Sequence, residues 1–202
     1  PTLMPEEFEK SLFAMLSTGV TTCLPTVITG SEDWQIQCFH ALEEGRNSSK
    51  LAQAMIPGYH LEGPFLNPEE GFCGCHPSKW MRPATWDHFE RLQEAAGGRI
   101  KLITVAPEIK GVLDLIPKLV EKGIAVAIGH CNPDRETLLR AADAGVTLST
   151  HLGNGIAQIL PKKDNPILGQ LAEDRFSASF IADGVHQQPH VLRVYLRAKQ
   201  SS

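Results

Sequence analysis

Three residues in this chain have types and positions that suit metal chemistry. Glu62 closes the run Pro57-Gly58-Tyr59-His60-Leu61-Glu62 and is followed by Gly63-Pro64. His130 ends Ile124-Ala125-Val126-Ala127-Ile128-Gly129-His130, and His151 ends Val146-Thr147-Leu148-Ser149-Thr150-His151. Each is an apolar run of strand length that delivers one potential ligand to a turn. One carboxylate and two imidazoles form a ligand set suited to zinc, and to iron or manganese as well, with a position left for water. Such an ion makes hydroxide available near neutral pH and polarises a carbonyl. Taken singly, each residue reads as an ordinary polar strand end; three at matching ends point to one divalent metal ion.

Other candidates lie in the intervening loops. His76, in Gly74-Cys75-His76-Pro77, falls in the irregular stretch from Gly63 to Pro83 and could reach over the metal to a substrate carbonyl, or be a solvated loop histidine. Loops of that length inside a compact fold tend to carry function. His186 follows Ala182-Asp183-Gly184-Val185 and could hold a substrate oxygen, while Asp183 fits a structural cap better than a base. Cys73-x-Cys75-His76 lacks a second Cys or His pair at finger-like spacing, which argues against a structural zinc. His60 alternates with Glu62 and faces the same way along a strand, as a packed partner would. His40, His88 and His190 fall on predicted helices and read as surface residues.

The elements that must position these residues alternate. The spacing predicts helices over Pro5 to Ser17, over Ser31 to Ala54 with a break around Gly45-Arg46-Asn47, and over Ala84 to Ala96, Gly111 to Lys122, Pro133 to Ala144, Ile167 to Ala172 and Pro189 to Ala198. Six strands are expected, starting at 20, 57, 100, 124, 146 and 176, the first running Val20 to Val27 and the last Phe176 to Ala182. Alternation of this kind predicts an α/β fold with a parallel sheet covered by helices. No Gly-rich phosphate turn follows an early strand, so a doubly wound nucleotide binder is disfavoured. Polar residues at the C-terminal ends of several strands favour a (β/α)8 TIM-type barrel. With six of eight strands in view, residues 1–202 read as a single domain, the central part of a barrel whose first and last strands are missing.

Composition sets the outer bounds. The chain has 202 residues, 42% of them hydrophobic and 21% charged, enough for one sizeable core. A formal charge of −4 with scattered Lys and Arg gives no footprint for nucleic acid. No apolar run reaches the length of a bilayer span, and Glu6, Glu7 and Glu9 stand where a signal peptide would be basic, so a cytoplasmic location is expected. Five cysteines at irregular spacing predict free thiols.

Five motifs together resemble one family. His60-Leu61-Glu62-Gly63-Pro64-Phe65, Val105-Ala106-Pro107-Glu108, Gly129-His130, Thr150-His151-Leu152-x-Asn154 and Ile181-Ala182-Asp183-Gly184-x-His186 are similar, in this order, to the motif series of N-acetylglucosamine-6-phosphate deacetylases of the amidohydrolase superfamily. The resemblance runs from about Gly19 to Lys199. It implies a metal on Glu62, His130 and His151, and an acetamide carbonyl polarised by the metal and His76. Substrate contacts would come from Cys75, His76, Asn154, Gly155 and His186, the substrate being a small amino sugar. It also implies an aspartate at the end of the last barrel strand that takes a proton from the attacking water and passes it to the leaving amine. No position in this sequence matches that aspartate, so the chain by itself is expected to be inactive. A homodimer is expected by the same analogy.

Two stretches depart from the family pattern. Gly153-Asn154-Gly155-Ile156 stands where the family has a bulky residue and Asn-Ala-Met, and the family's phosphate-binding arginine is replaced, at best, by the nearby Lys162 and Lys163. A lysine binds phosphate as a point charge without the arginine fork. Deacetylation of another N-acyl compound and non-catalytic metal or sugar binding are therefore the alternatives.

Overall fold

The computed structural model describes residues 5–199. Its helices are α1 (Pro5–Ser17), α2 (Glu32–Ser48), α3 (Lys50–Met55), α4 (Trp86–Ala95), α5 (Val112–Glu121), α6 (Arg135–Ala144), α7 (Pro166–Leu171) and α8 (Pro189–Lys199). Its strands are β1 (Thr26–Ile28), β2 (Tyr59–Glu62), β3 (Ile100–Val105), β4 (Ala125–Ile128), β5 (Leu148–Ser149) and β6 (Ser177–Ala178). All six form one parallel sheet in the order β1-β2-β3-β4-β5-β6.

That order distinguishes the two architectures considered from sequence. A doubly wound sheet reverses direction at a switch point, whereas strands laid down strictly in chain order are wound one way, as in a (β/α)8-type barrel. The fold is α/β with this barrel-type winding, and every C-terminal strand end therefore faces the same rim.

Local chemistry accounts for most boundaries. Thr85, Asp134 and Asn165 accept hydrogen bonds from the backbone N–H groups of His88, Thr137 and Leu168, capping α4, α6 and α7. The break in the second helical segment falls at Ser49 and not at Gly45-Arg46-Asn47. Ser49 is extended, accepts from Ala52 N–H to start α3, and donates its hydroxyl to Glu9 at 2.6 Å, so a cap wins over the glycine. The first strand begins at Thr26, later than the expected Val20; its pairing with β2 starts there, at Thr26 opposite His60. The last strand is also much shorter than expected. It pairs with β5 over just two residue positions.

The core lies between sheet and helices. Leu61, Ile103 and Val126 are fully buried next to Phe39, Phe89, Leu92, Ile116 and Leu119. Leu61 pairs in register with Ile103, which pairs with Val126, so one apolar row crosses the middle strands. Leu61→Ala is expected to cost about 2–5 kcal/mol, the range for emptying a leucine site in a packed core. Urea unfolding monitored by far-UV circular dichroism would measure it, and a loss under about 1 kcal/mol would contradict the packing described.

The other face of the sheet carries a polar row. His60 Nδ1 lies 3.1 Å from Thr26 Oγ1, its Nε2 lies 2.7 Å from Thr104 Oγ1, and Thr104 Oγ1 lies 2.7 Å from Thr150 Oγ1. This hydrogen-bonded bar joins β1, β2 and β3 to the residue after β5, immediately before His151. Burial lowers the His60 pKa to about 4, so the imidazole is neutral and serves as a spacer.

His88 is not the surface residue expected from its helix. It is buried, packs edge-on against Phe65, and sits 2.9 Å from Glu32. Among the described residues, no helix is long and apolar enough to cross a membrane.

Candidate metal centre

The parallel winding brings the three strand-end residues together. Glu62 is the last residue of β2, and His130 and His151 each stand two residues beyond the ends of β4 and β5. One ligand atom from each lies within 4.8 Å of the others. Glu62 Oε1 is 2.8 Å from His151 Nε2 and 3.3 Å from His130 Nε2, and the two Nε2 atoms are 3.2 Å apart.

The hydrogens explain why this cluster is suited to a cation. His130 Nδ1 lies 2.9 Å from the Phe72 carbonyl oxygen, which can only accept. The ring hydrogen is therefore on Nδ1, and Nε2 aims a lone pair at a carboxylate oxygen and a second ring nitrogen. Three electron-rich atoms converge where at most one hydrogen can separate a pair of them. A divalent ion satisfies all three, and the Phe72 carbonyl supplies the second-shell acceptor that metal-bound histidines usually have. His151 Nδ1 is buried without a partner among the described residues.

Backbone strain is concentrated here as well. His130 has φ +50° and His151 φ +33°, the two non-glycine residues with positive φ among those described. Left-handed backbone at a non-glycine residue persists where surrounding contacts enforce it.

His76 joins this group, although the loop offers no local sequence signal for it. Its side chain is buried, its ring centroid is 4.3 Å from that of His130, and its Nε2 is 3.9 Å from Glu62 Oε2. The Thr29 backbone N–H donates to His76 Nδ1 at 3.3 Å, which places the remaining hydrogen on Nε2, facing the cluster. Burial first, and then the neighbouring His130, lower the His76 pKa to about 4, so near pH 7 it is a neutral donor.

The remaining sequence candidates divide. Gly155 and Gly74 both lie against the Nδ1–Cε1 edge of the His130 ring, with no room for a side chain. Asn154 donates its amide to the His151 carbonyl at 3.2 Å and so closes the turn after that ligand. Cys75 is exposed, and no third ligand joins Cys73 and His76 in a metal-like group among the described residues. His186 is also exposed and pairs with Asp183 at 2.7 Å. Asp183 Oδ1 accepts from the N–H groups of Val185 and His186, which is the structural role expected for it. Lys162 and Lys163 are exposed in the loop before α7.

Two contributors escaped the sequence reading: Thr29 and the Phe72 carbonyl. Thr29 directly follows β1 and could have been found by extending the strand-end rule to every strand. A backbone carbonyl leaves no trace in residue types.

The chain is 34% identical over 199 residues to an N-acetylglucosamine-6-phosphate deacetylase of Bacillus subtilis (strain 168), covering 98% of this chain and 48% of that protein. The Homo sapiens protein of the same name is 33% identical over 196 residues, covering 91% and 46%. A solved structure of the Mycobacterium smegmatis deacetylase, an aspartate-to-alanine mutant in complex with N-acetyl-D-glucosamine 6-phosphate, superposes with a TM-score of 0.85 at 28% identity, over 97% of this chain and 50% of that one. The chain is a relative of the N-acetylglucosamine-6-phosphate deacetylases. It spans about half the length of the curated relatives it matches. No protein-family model matches it. An N-acetylgalactosamine-6-phosphate deacetylase of Shewanella sp. (strain ANA-3) is comparably similar, 33% identical over 184 residues and covering 90% of this chain and 44% of that protein.

Proposed function

We propose that the protein containing this chain hydrolyses the acetamide of N-acetylglucosamine 6-phosphate to acetate and glucosamine 6-phosphate. The observation that carries this reading is the convergence of Glu62, His130 and His151 with the inward donor of His76, on a chain related to deacetylases of that name. Glu62, His130 and His151 would hold one divalent ion, with zinc the first to test and iron or manganese next. When bound, such an ion supplies a Lewis acid for the amide carbonyl and lowers the pKa of water.

The chain's own residues do the rest by position. His76, fixed as the Nε2–H tautomer by Thr29, donates to the carbonyl oxygen as negative charge develops there. The Phe72 carbonyl and the glycine edges hold the His130 ring, so its lone pair stays aimed at the centre. The exposed Cys75 and His186 and the free oxygen of Asn154 meet the sugar, and Lys162 and Lys163 meet the phosphate. Asp183 is committed to its turn and to His186, a structural role.

The test is acetate release by protein expressed from the whole coding sequence. Chelator treatment is expected to abolish activity, and stoichiometric zinc to restore it. Turnover that persists after the ion is removed would overturn the metal reading, and equal rates on phosphorylated and unphosphorylated N-acetylglucosamine would overturn the phosphate. The Shewanella relative motivates a second reading, in which the sugar is N-acetylgalactosamine 6-phosphate. A comparison of kcat/KM for the two epimers decides between them.

A further inference from the structure

We infer that Glu108 is a positioning residue for His130, its carboxylate tying the loop after β2 to the loop after β4 and so holding the ligand in its strained conformation. This rests on the metal reading proposed above. Glu108 follows β3, the strand between those carrying Glu62 and His130, so its side chain stands between the two loops.

The contacts converge on one oxygen. Glu108 Oε1 accepts from the Asn132 backbone N–H at 2.5 Å and from Asn67 Nδ2 at 3.0 Å. Asn67 in turn donates its backbone N–H to the His130 carbonyl at 3.0 Å, and its Oδ1 accepts from Glu69 N–H at 2.9 Å. Glu69 starts the turn that leads to Phe72, because its carbonyl accepts from the N–H of both Phe72 and Cys73. The Phe72 carbonyl takes the His130 Nδ1 hydrogen. One carboxylate oxygen thus anchors both the backbone that flanks His130 and the loop whose carbonyl fixes its tautomer.

Strain makes this clamp consequential. His130 at φ +50° would relax toward ordinary backbone if the two peptides that follow it were free, and its Nε2 would swing off the centre. Outer-shell groups that orient a ligand typically govern metal affinity by about 10- to 100-fold.

The experiment compares Glu108→Leu, Glu108→Gln and Asn67→Ala in the protein expressed from its whole coding sequence. Zinc affinity is measured by competition with a chromophoric chelator, and thermal unfolding is measured alongside. Glu108→Leu and Asn67→Ala are expected to bind zinc about 10- to 100-fold more weakly. Glu108→Gln keeps an oxygen acceptor for both donors and is expected to stay within about threefold, a rescue that bulk or charge alone would not give. A Glu108→Leu protein with lowered Tm but parental zinc affinity would reduce Glu108 to a loop staple and overturn the inference. If that variant fails to fold, Asn67→Ala decides, because parental affinity there overturns it equally. A parent protein that takes up no zinc overturns the metal reading itself, and the inference falls with it.

Discussion

Glu62→Ala is expected to lower zinc affinity by more than about 100-fold, beyond the upper end of what loss of an outer-shell partner costs, and to abolish acetate release with it. The carboxylate is the only anionic group in the cluster of three, and both imidazole Nε2 atoms are gathered around its Oε1. Without it, two ring nitrogens 3.2 Å apart remain with no anionic ligand beside them, a poor site for a divalent ion. Glu62→Gln separates charge from shape. The amide fills the same volume, but it presents one weaker oxygen donor, so zinc affinity is again expected to fall well below the parent's. Competition against a chromophoric chelator reads affinity directly, and acetate release reads the consequence. Parental zinc affinity in Glu62→Ala would refute the assignment of this cluster as the metal centre.

The middle of the fold was legible in the sequence for a physical reason. Strands buried on both faces of a parallel sheet read as continuous apolar runs, and Ile124 to Ile128 is such a run between two amphipathic helices. Parallel topology then turns three separate strand ends into neighbours on one rim, which is why Glu62, His130 and His151 group together from sequence alone. The edges were less legible, because among the described residues β1 and β6 pair on one side only and their extents depend on hydrogen bonds that residue types do not encode.

Loop residues mark the harder limit. His76 and Cys75 are adjacent and equally plausible as polar loop residues, yet one is buried against His130 and the other is exposed. The difference comes from the path of a long irregular segment, set by contacts such as Thr29 to His76 and Asn67 to His130 that join residues distant in sequence. His88 shows the converse. Its helical position suggested solvent, but the aromatic neighbour Phe65 arrives from another loop and covers it.

Gly155→Ala is expected to disable the centre without unfolding the protein, and comparison with Gly184→Ala isolates the reason. Both glycines have positive φ, +59° and +75°, so alanine at either carries the strain of left-handed backbone, about 1–2 kcal/mol. Around Gly184 there is open space, and strain is the whole effect expected. A methyl group on Gly155 would lie 2.5 Å from His130 Nδ1 and 2.6 Å from Cε1, closer than any tolerable contact. Because the Nδ1 edge also carries the hydrogen bond to Phe72, the ring cannot retreat without breaking it, and any tilt withdraws Nε2 from Glu62 and His151. Gly155→Ala should therefore unfold at a lower denaturant concentration than Gly184→Ala, by the added cost of the clash, and zinc affinity should fall about 10- to 100-fold in Gly155→Ala alone. Equal zinc affinities would mean that the His130 ring has slack on this edge, and that the small residue at 155 serves chain reversal after His151 and not the aim of the ligand.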